Sequence, residues 1–191
     1  MSPVQKKKDV PQPHQEEACR NVLAAFAKTT LLPTRTQCIM ACGTGKTFVS
    51  LMVAERGKYK HIVVFVPSLA LVRQVLAEYR ARSSWKKWNV IAVCSDATVA
   101  DDESFYVSPE EVGCEVTTSP AAVKDFLDGE GVRVVFCTYH SSHLLRQMSS
   151  PHGGKKGQGV LVRALRRSRA DFSPPVHDGN AEAFTCAAEG R

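Results

Sequence analysis

Nowhere in its 191 residues does this chain carry an apolar run near the roughly 18 residues that a membrane-crossing helix needs. Its first residues, MSPVQKKKDVPQP, also lack the apolar stretch of a secretory signal. These absences predict a soluble protein of the cytoplasm or nucleus with no membrane partner. There is no Cys-x-x-Cys pair either. Seven cysteines, Cys19, Cys38, Cys42, Cys94, Cys114, Cys137 and Cys186, make an odd set with several members inside apolar runs. They read as reduced, mostly buried small hydrophobes rather than a disulfide framework. The histidines His14, His61, His140, His143, His152 and His177 show no metal spacing with cysteine, which argues against zinc. No internal repeat is visible. Acidic residues are scarce in one place: between Gly131 and His177 only Asp171 is acidic, against eight Lys and Arg, a net +7 where the whole chain is +6. The basic excess is therefore local.

What is present points to a folded domain, since 43% hydrophobic and 23% charged residues over this length suffice to bury a core. The most informative segment is Met40 to Thr47, MACGTGKT, set between an apolar run and a helix start. Glycine at Gly43 and Gly45 lets successive backbone N–H groups converge on phosphate oxygens. Lys46 is placed to reach the β- and γ-phosphates of a nucleotide, and the Thr47 hydroxyl to hold the Mg²⁺ between them. The helix that follows, FVSLMVAER, offers its positive end to the same anion. Met40 stands where the strict GxxxxGK[ST] pattern has glycine, with Ala41, Cys42 and Thr44 filling the loop. The competing reading is an ordinary glycine-rich turn with a solvated lysine. Cys42 lies near a helix start that favours thiolate, though a core-like filler role is expected for it.

Apolar segments alternate with helical patterns along the chain, which predicts an α/β fold with a mostly parallel sheet flanked by helices. Helices are expected over Gln15–Lys28, from the loop to about Arg56, over Leu69–Arg82 and over Pro120–Leu127. Strands are expected at Thr36–Met40, His61–Val66, Asn89–Cys94 and Val132–Cys137. Ser95–Ser119 is acidic and turn-rich, and reads as a surface excursion. Trp85 and Trp88 flank Lys86 and Lys87. They either stack on bases or, as is commoner, cap the core at a helix end.

These segments, in this order, resemble the N-terminal RecA-like lobe of a superfamily 2 helicase or translocase of the restriction-enzyme type, over about Pro13 to Met148. PHQEEA resembles the segment whose glutamine, here Gln15, reads the adenine edge, although Gln12 stands where the family usually has arginine. Gln15 is otherwise an exposed polar residue. VPSLALVRQ resembles motif Ia, and this implies that Ser68, Leu69 and Arg73 hold one nucleic-acid strand. Independently of the family, Ser68 reads as a helix N-cap. VCSD at Val93–Asp96 and VVFCTYHSS at Val134–Ser142 resemble later segments, the second implying that Thr138 touches the bound strand. The resemblance implies ATP and Mg²⁺ as ligands, Lys46 and Thr47 as catalytic residues, and a nucleic-acid partner, DNA ahead of RNA.

One expected segment is missing. No apolar strand ends in Asp-Glu-Ala-His or Asp-Glu-Ala-Asp, the motif II whose carboxylates hold Mg²⁺ and position water. The sheet is thus expected to lack an inner strand. The reading divides the chain into a basic flexible arm (1–12), a helicase ATP-binding lobe (13–150) and an irregular basic tail (151–191). That tail is either a nucleic-acid arm or out-of-frame sequence. With permitted codons, His177–Glu182 read one base later encodes Met-Thr-Ala-Thr-Pro, and Thr-Ala-Thr-Pro resembles motif III. The same shift lets Arg166–Arg169 encode Asp-Glu-Ala. Without motif II and a second helicase lobe the chain is expected to bind ATP with little or no turnover, and not to unwind by itself. The alternatives are a non-enzymatic basic nucleic-acid-binding protein and a small P-loop ATPase or kinase.

Overall fold

A computed structural model of the chain describes residues 10–27, 35–94, 109–147, 159–165 and 181–187, with backbone alone for the last two segments. Their centre is a seven-stranded sheet in which every pairing is parallel, in the order β1-β7-β6-β2-β5-β3-β4. The strands are β1 (Arg35–Ile39), β2 (His61–Val66), β3 (Trp88–Val93), β4 (Glu115–Thr117), β5 (Val132–Thr138), β6 (Gly159–Leu165) and β7 (Ala181–Ala187). The helices are α1 (Pro13–Ala27), α2 (Lys46–Arg56), α3 (Leu69–Arg82), α4 (Pro120–Leu127) and α5 (Ser142–Gln147).

Parallel strands are covered on both faces, and alternate residues feed two separate cores. From β2 and β5, Ile62, Val64, Val66, Val134 and Phe136 join the core under α1, α2 and α3. Val63, Phe65, Val135 and Cys137 meet Val123 and Phe126 of α4 and Leu144 and Leu145 of α5 on the other face. Helix α2 is buried from Phe48 to Ala54. Its one polar residue there, Ser50, donates to the Thr47 carbonyl at 2.7 Å and lies 2.8 Å from the Tyr79 hydroxyl of α3. Tyr79 in turn packs on Phe136, ring centroids 5.9 Å apart. Capping follows the sequence: Ser68 accepts from the Leu71 N–H at 3.4 Å, and Ser119 from Ala122 at 3.3 Å ahead of Pro120.

The expected strands and helices appear with ends shifted by a residue or two, as at α1 and β5. Three findings correct the reading. First, the C-terminal stretch is not wholly irregular, and the sheet does not lack its inner strands: β6 and β7 fill the space between β2 and β1. Second, the acidic excursion is not all loop. A 3-10 turn at Pro109–Val112 sets Val112 into the core, and β4 adds an edge strand beside β3. Third, Cys42 is exposed rather than core filler. The thiols of Cys19, Cys38, Cys94 and Cys137 are buried as expected, and no disulfide occurs among the described cysteines. Trp85 and Trp88 pack on each other at 5.6 Å and against the core. Among the described residues no helix is long and apolar enough to cross a membrane.

Candidate functional site

Because every strand runs the same way, their carboxyl ends share one edge, where α/β folds bind ligands. The loop from Met40 to Gly45 leaves β1 at that edge. Gly43 has φ 76° and Gly45 φ 81°, a left-handed conformation open to glycine at little cost. Gly45 is the N-cap of α2, and no side chain caps that helix start. The first N–H groups of α2 thus face outward at the positive end of the helix dipole, the arrangement that holds an anion.

Lys46 turns back over the loop. Its Nζ donates to the Ala41 carbonyl at 2.8 Å and the Met40 carbonyl at 3.3 Å, while the Thr44 hydroxyl donates to Ala41 at 2.7 Å. The lysine therefore holds the loop closed through neutral acceptors. A phosphate offers charged oxygens in their place, and charge-assisted bonds are about twice as strong.

Gln15 braces the loop from α1. Its Nε2 donates to the Thr44 carbonyl at 2.9 Å and its Oε1 accepts from the Gln12 N–H at 3.0 Å. His14 Nε2 lies 3.1 Å from the same Thr44 carbonyl. Farther along, Glu16 forms a two-pronged ion pair with Arg56 at the end of α2, at 2.5 and 2.6 Å. The Arg56 guanidinium holds the Glu16 carboxyl below its ordinary range. Helix α1 is thus pinned to both ends of α2. Between α1, β1 and the loop lies a cavity of about 480 Å³, with His14, Glu17 and Asn21 on one wall and Thr36, Met40 and Thr44 on the other. Sequence reasoning picked out Gln15 but missed this helix face. Its signal was the polar spacing of residues 14, 17 and 21 opposite the buried Cys19, Val22 and Phe26.

The motif Ia and β5 residues gather at the same edge, with β7 and β6 lying between β1 and β2. Val66 of β2 is in register with Thr138 of β5, so Ser68, just beyond Val66, stands near the end of β5. Ser68 is half-buried and caps α3, Leu69 is buried in the core, and Arg73 is exposed. Thr138 is turned inward: it is buried, and its hydroxyl lies 2.9 Å from that of the buried Ser141. It holds the turn after β5. Beside it, burial pushes the Cys137 thiol up to about 12, so it stays neutral. Asp96 lies outside the described residues. Among those described, no group of three His, Cys, Asp or Glu comes together as a metal site.

The fold is shared with two solved structures. One is a nuclease-deletion mutant of the Type ISP restriction-modification enzyme LlaGI in complex with a DNA substrate mimic, with TM-score 0.66 and 22% identity over 95% of this chain and 18% of that one. The other is the ATP-dependent Type ISP restriction-modification enzyme LlaBIII bound to DNA, with TM-score 0.71 and 21% identity over 97% of this chain and 13% of that one. This chain spans less than a fifth of either. No curated protein matches its sequence. The family described as "Type III restriction enzyme, res subunit" matches residues 8–162, running past Ser150 into β6. With that match over most of its length, and the loop and sheet of a restriction-type helicase lobe beneath it, the chain belongs to the Type III restriction enzyme res subunit family.

Proposed function

We propose that this chain is the ATP-binding lobe of a restriction-type helicase or translocase that works on nucleic acid. The observation that carries the reading is the phosphate loop: two left-handed glycines, an uncapped helix start and a lysine folded over loop carbonyls. Binding ATP moves Lys46 from Met40 and Ala41 to the β- and γ-phosphates, while the α2 N–H groups take the remaining oxygens. Mg²⁺, arriving with the nucleotide, neutralises phosphate charge, and the Thr47 hydroxyl is the group that would hold it. The sequence shows no Asp-Glu-Ala-His or Asp-Glu-Ala-Asp segment to hold Mg²⁺ and position water, so tight binding with slow turnover is the behaviour expected.

The nucleic-acid side of the reading rests on Ser68 and Arg73 at the start of α3, where a strand end and a helix N-terminus favour a backbone phosphate. It is supported by the two solved neighbours, one bound to DNA and one to a DNA substrate mimic. Thr138 supports this surface by fixing the turn after β5. DNA is proposed ahead of RNA for the same reason.

The test is affinity for a short duplex, with and without a non-hydrolysable ATP analogue, for the wild type, Lys46→Ala and Arg73→Ala. Nucleotide-dependent DNA affinity that vanishes in Lys46→Ala is expected. Salt-sensitive DNA binding that ignores nucleotide would instead favour a non-enzymatic basic binder.

A further inference from the structure

Two turns at the amino edge of the sheet, opposite the phosphate loop, are built alike, and the nucleotide reading uses neither. In the first, between α2 and β2, Tyr59 is buried while Lys58 and Lys60 on either side of it are exposed. In the second, between α3 and β3, Trp85 and Trp88 pack on each other and against the core while Lys86 and Lys87 between them are exposed. Each turn draws its aromatic rings inward and presents two ammonium groups.

The turns are fixed in shape and tied to each other. Lys58 has a left-handed backbone at φ 56°, held by its N–H donating to the Glu55 carbonyl at 3.1 Å and by the Tyr59 N–H donating to the Ala54 carbonyl at 3.3 Å. The Glu55 carboxylate, at the end of α2, accepts from the Ser84 N–H at 2.6 Å and from the Ser83 hydroxyl at 3.2 Å, just past α3. The Lys60 carbonyl accepts from the Arg133 N–H of β5 at 2.7 Å, and β5 runs between β2 and β3 with Val132 level with Trp88. With one strand between them, the starts of β2 and β3 lie about 10 Å apart at the ~4.8 Å spacing of neighbouring strands. The carboxyl edge is a strand length away, roughly 20 Å for the six residues of β2.

Among the described residues none of the four lysines has an ion pair. The acidic Asp128 and Glu130 belong to the turn after α4, which packs on the other face of the sheet. A protein-binding patch has an apolar or aromatic centre and is depleted in lysine. This patch is the reverse. Ammonium groups with no exposed ring among them suit the phosphates of a nucleic-acid backbone, which bind by releasing counterions. The spacing of the two lysine pairs is close to the ~12 Å width of a major groove, whose two rims carry phosphates.

We propose that Lys58, Lys60, Lys86 and Lys87 form a second nucleic-acid contact, which takes backbone phosphates independently of nucleotide. It lies at the opposite edge from Ser68 and Arg73 and needs neither of them.

The experiment is binding of a mixed-sequence duplex to the full chain from about 50 to about 200 mM salt, with and without a non-hydrolysable ATP analogue. The proteins are the wild type, the double variant Lys58→Gln with Lys60→Gln, and the double variant Lys86→Gln with Lys87→Gln. Each double variant is expected to lower the slope of log affinity against log salt by about 2, one for each lost phosphate contact. At the lowest salt each should weaken binding about tenfold or more, with or without the analogue. Affinity for the analogue itself should not change, which also shows that the variants fold. An unchanged slope and affinity in either double variant overturns the proposal. So does poly-glutamate that competes as well as duplex of equal charge, since that assigns the patch to an acidic polypeptide. A wild type whose duplex affinity ignores the analogue, with both lysine effects intact, removes the motor reading above and supports this contact.

Discussion

Gln15 and Gly45 share one small volume: the amide nitrogen of Gln15 stands where a Cβ on Gly45 would be, and that nitrogen also donates to the Thr44 carbonyl at 2.9 Å. Gly45 is thus constrained twice, by its φ of 81° and by its neighbour, whereas Gly43 at φ 76° has nothing within 4 Å of such a Cβ. Gly43→Ala should cost about 1–2 kcal/mol, the penalty of the left-handed backbone alone. Gly45→Ala should cost more and should also weaken nucleotide binding by displacing Gln15. Denaturant midpoints of the two variants, compared side by side, check the order.

Ser50 and Tyr79 form a buried hydroxyl pair at 2.8 Å that links α2 to α3 directly behind the phosphate loop. Ser50→Ala and Tyr79→Phe should each destabilise by about 1 kcal/mol. The double variant should lose less than the two single losses combined, because they share one bond. A double-mutant cycle from chemical denaturation measures this. Simple additivity would mean that the two hydroxyls act separately.

Among the described thiols, Cys42 should be the first alkylated by iodoacetamide, since it is exposed in the loop while Cys19, Cys38, Cys94 and Cys137 are buried. Bound ATP should slow that reaction by covering the loop. Mass spectrometry of the modified peptide, with and without nucleotide, reads both effects.

Burial raises the Cys137 thiol from an unfolded value of 9.0 to about 12. Since the folded state holds its proton more tightly, this contribution to stability is fully present below pH 9 and is lost as the pH climbs from 9 toward 12. Cys19 and Cys114, also raised by burial, act in the same direction. Stability measured by denaturant should therefore fall as the pH rises from 9 toward 12. Replacing Cys137 by Ala should flatten the slope while lowering stability throughout.

Transcript sequencing across the Ser150 codon tests the frame. The expected result is a second frame that turns Arg166–Arg169, which follow the end of β6 at Leu165, into Asp-Glu-Ala. Restoring that frame should raise ATP turnover, since it supplies the carboxylates that the resemblance expects to hold Mg²⁺. A single frame with no such coding potential would leave the basic stretch as genuine sequence.

Local patterns carried much of this fold. The stretches Ile62–Val66 and Val134–Cys137 are continuously apolar because β2 and β5 are covered on both faces, and the glycine-and-lysine loop between β1 and α2 stands out by its residue types. Strands β6 and β7 were hidden. GVLVRAL carries Arg163 in mid-strand and AEAFTCA is made largely of small residues, so neither shows a clear period. What places them is backbone pairing to distant strands, which local sequence does not encode. The site was half legible for a related reason. The left-handed turn at Gly45 can be read from identity, but that Lys46 and Gln15 meet loop carbonyls depends on how the loop and α1 sit against α2. Thr138 shows the same limit: its identity suggests an outward contact, while the turn through Ser141 draws its hydroxyl inward.

The pairing of β1 with β7 sets an order of events. In the sheet, Ile39 is in register with Ala187, so the strand that carries the phosphate loop gains its β7 neighbour only after Ala187 has left the ribosome. The pairs β2 with β5 and β5 with β3 join segments much closer in sequence and close shorter loops, so they form first. Under the proposed function, nucleotide binding should therefore require the β1–β7 pairing, and ATP added to nascent chains of increasing length would report when that pairing forms.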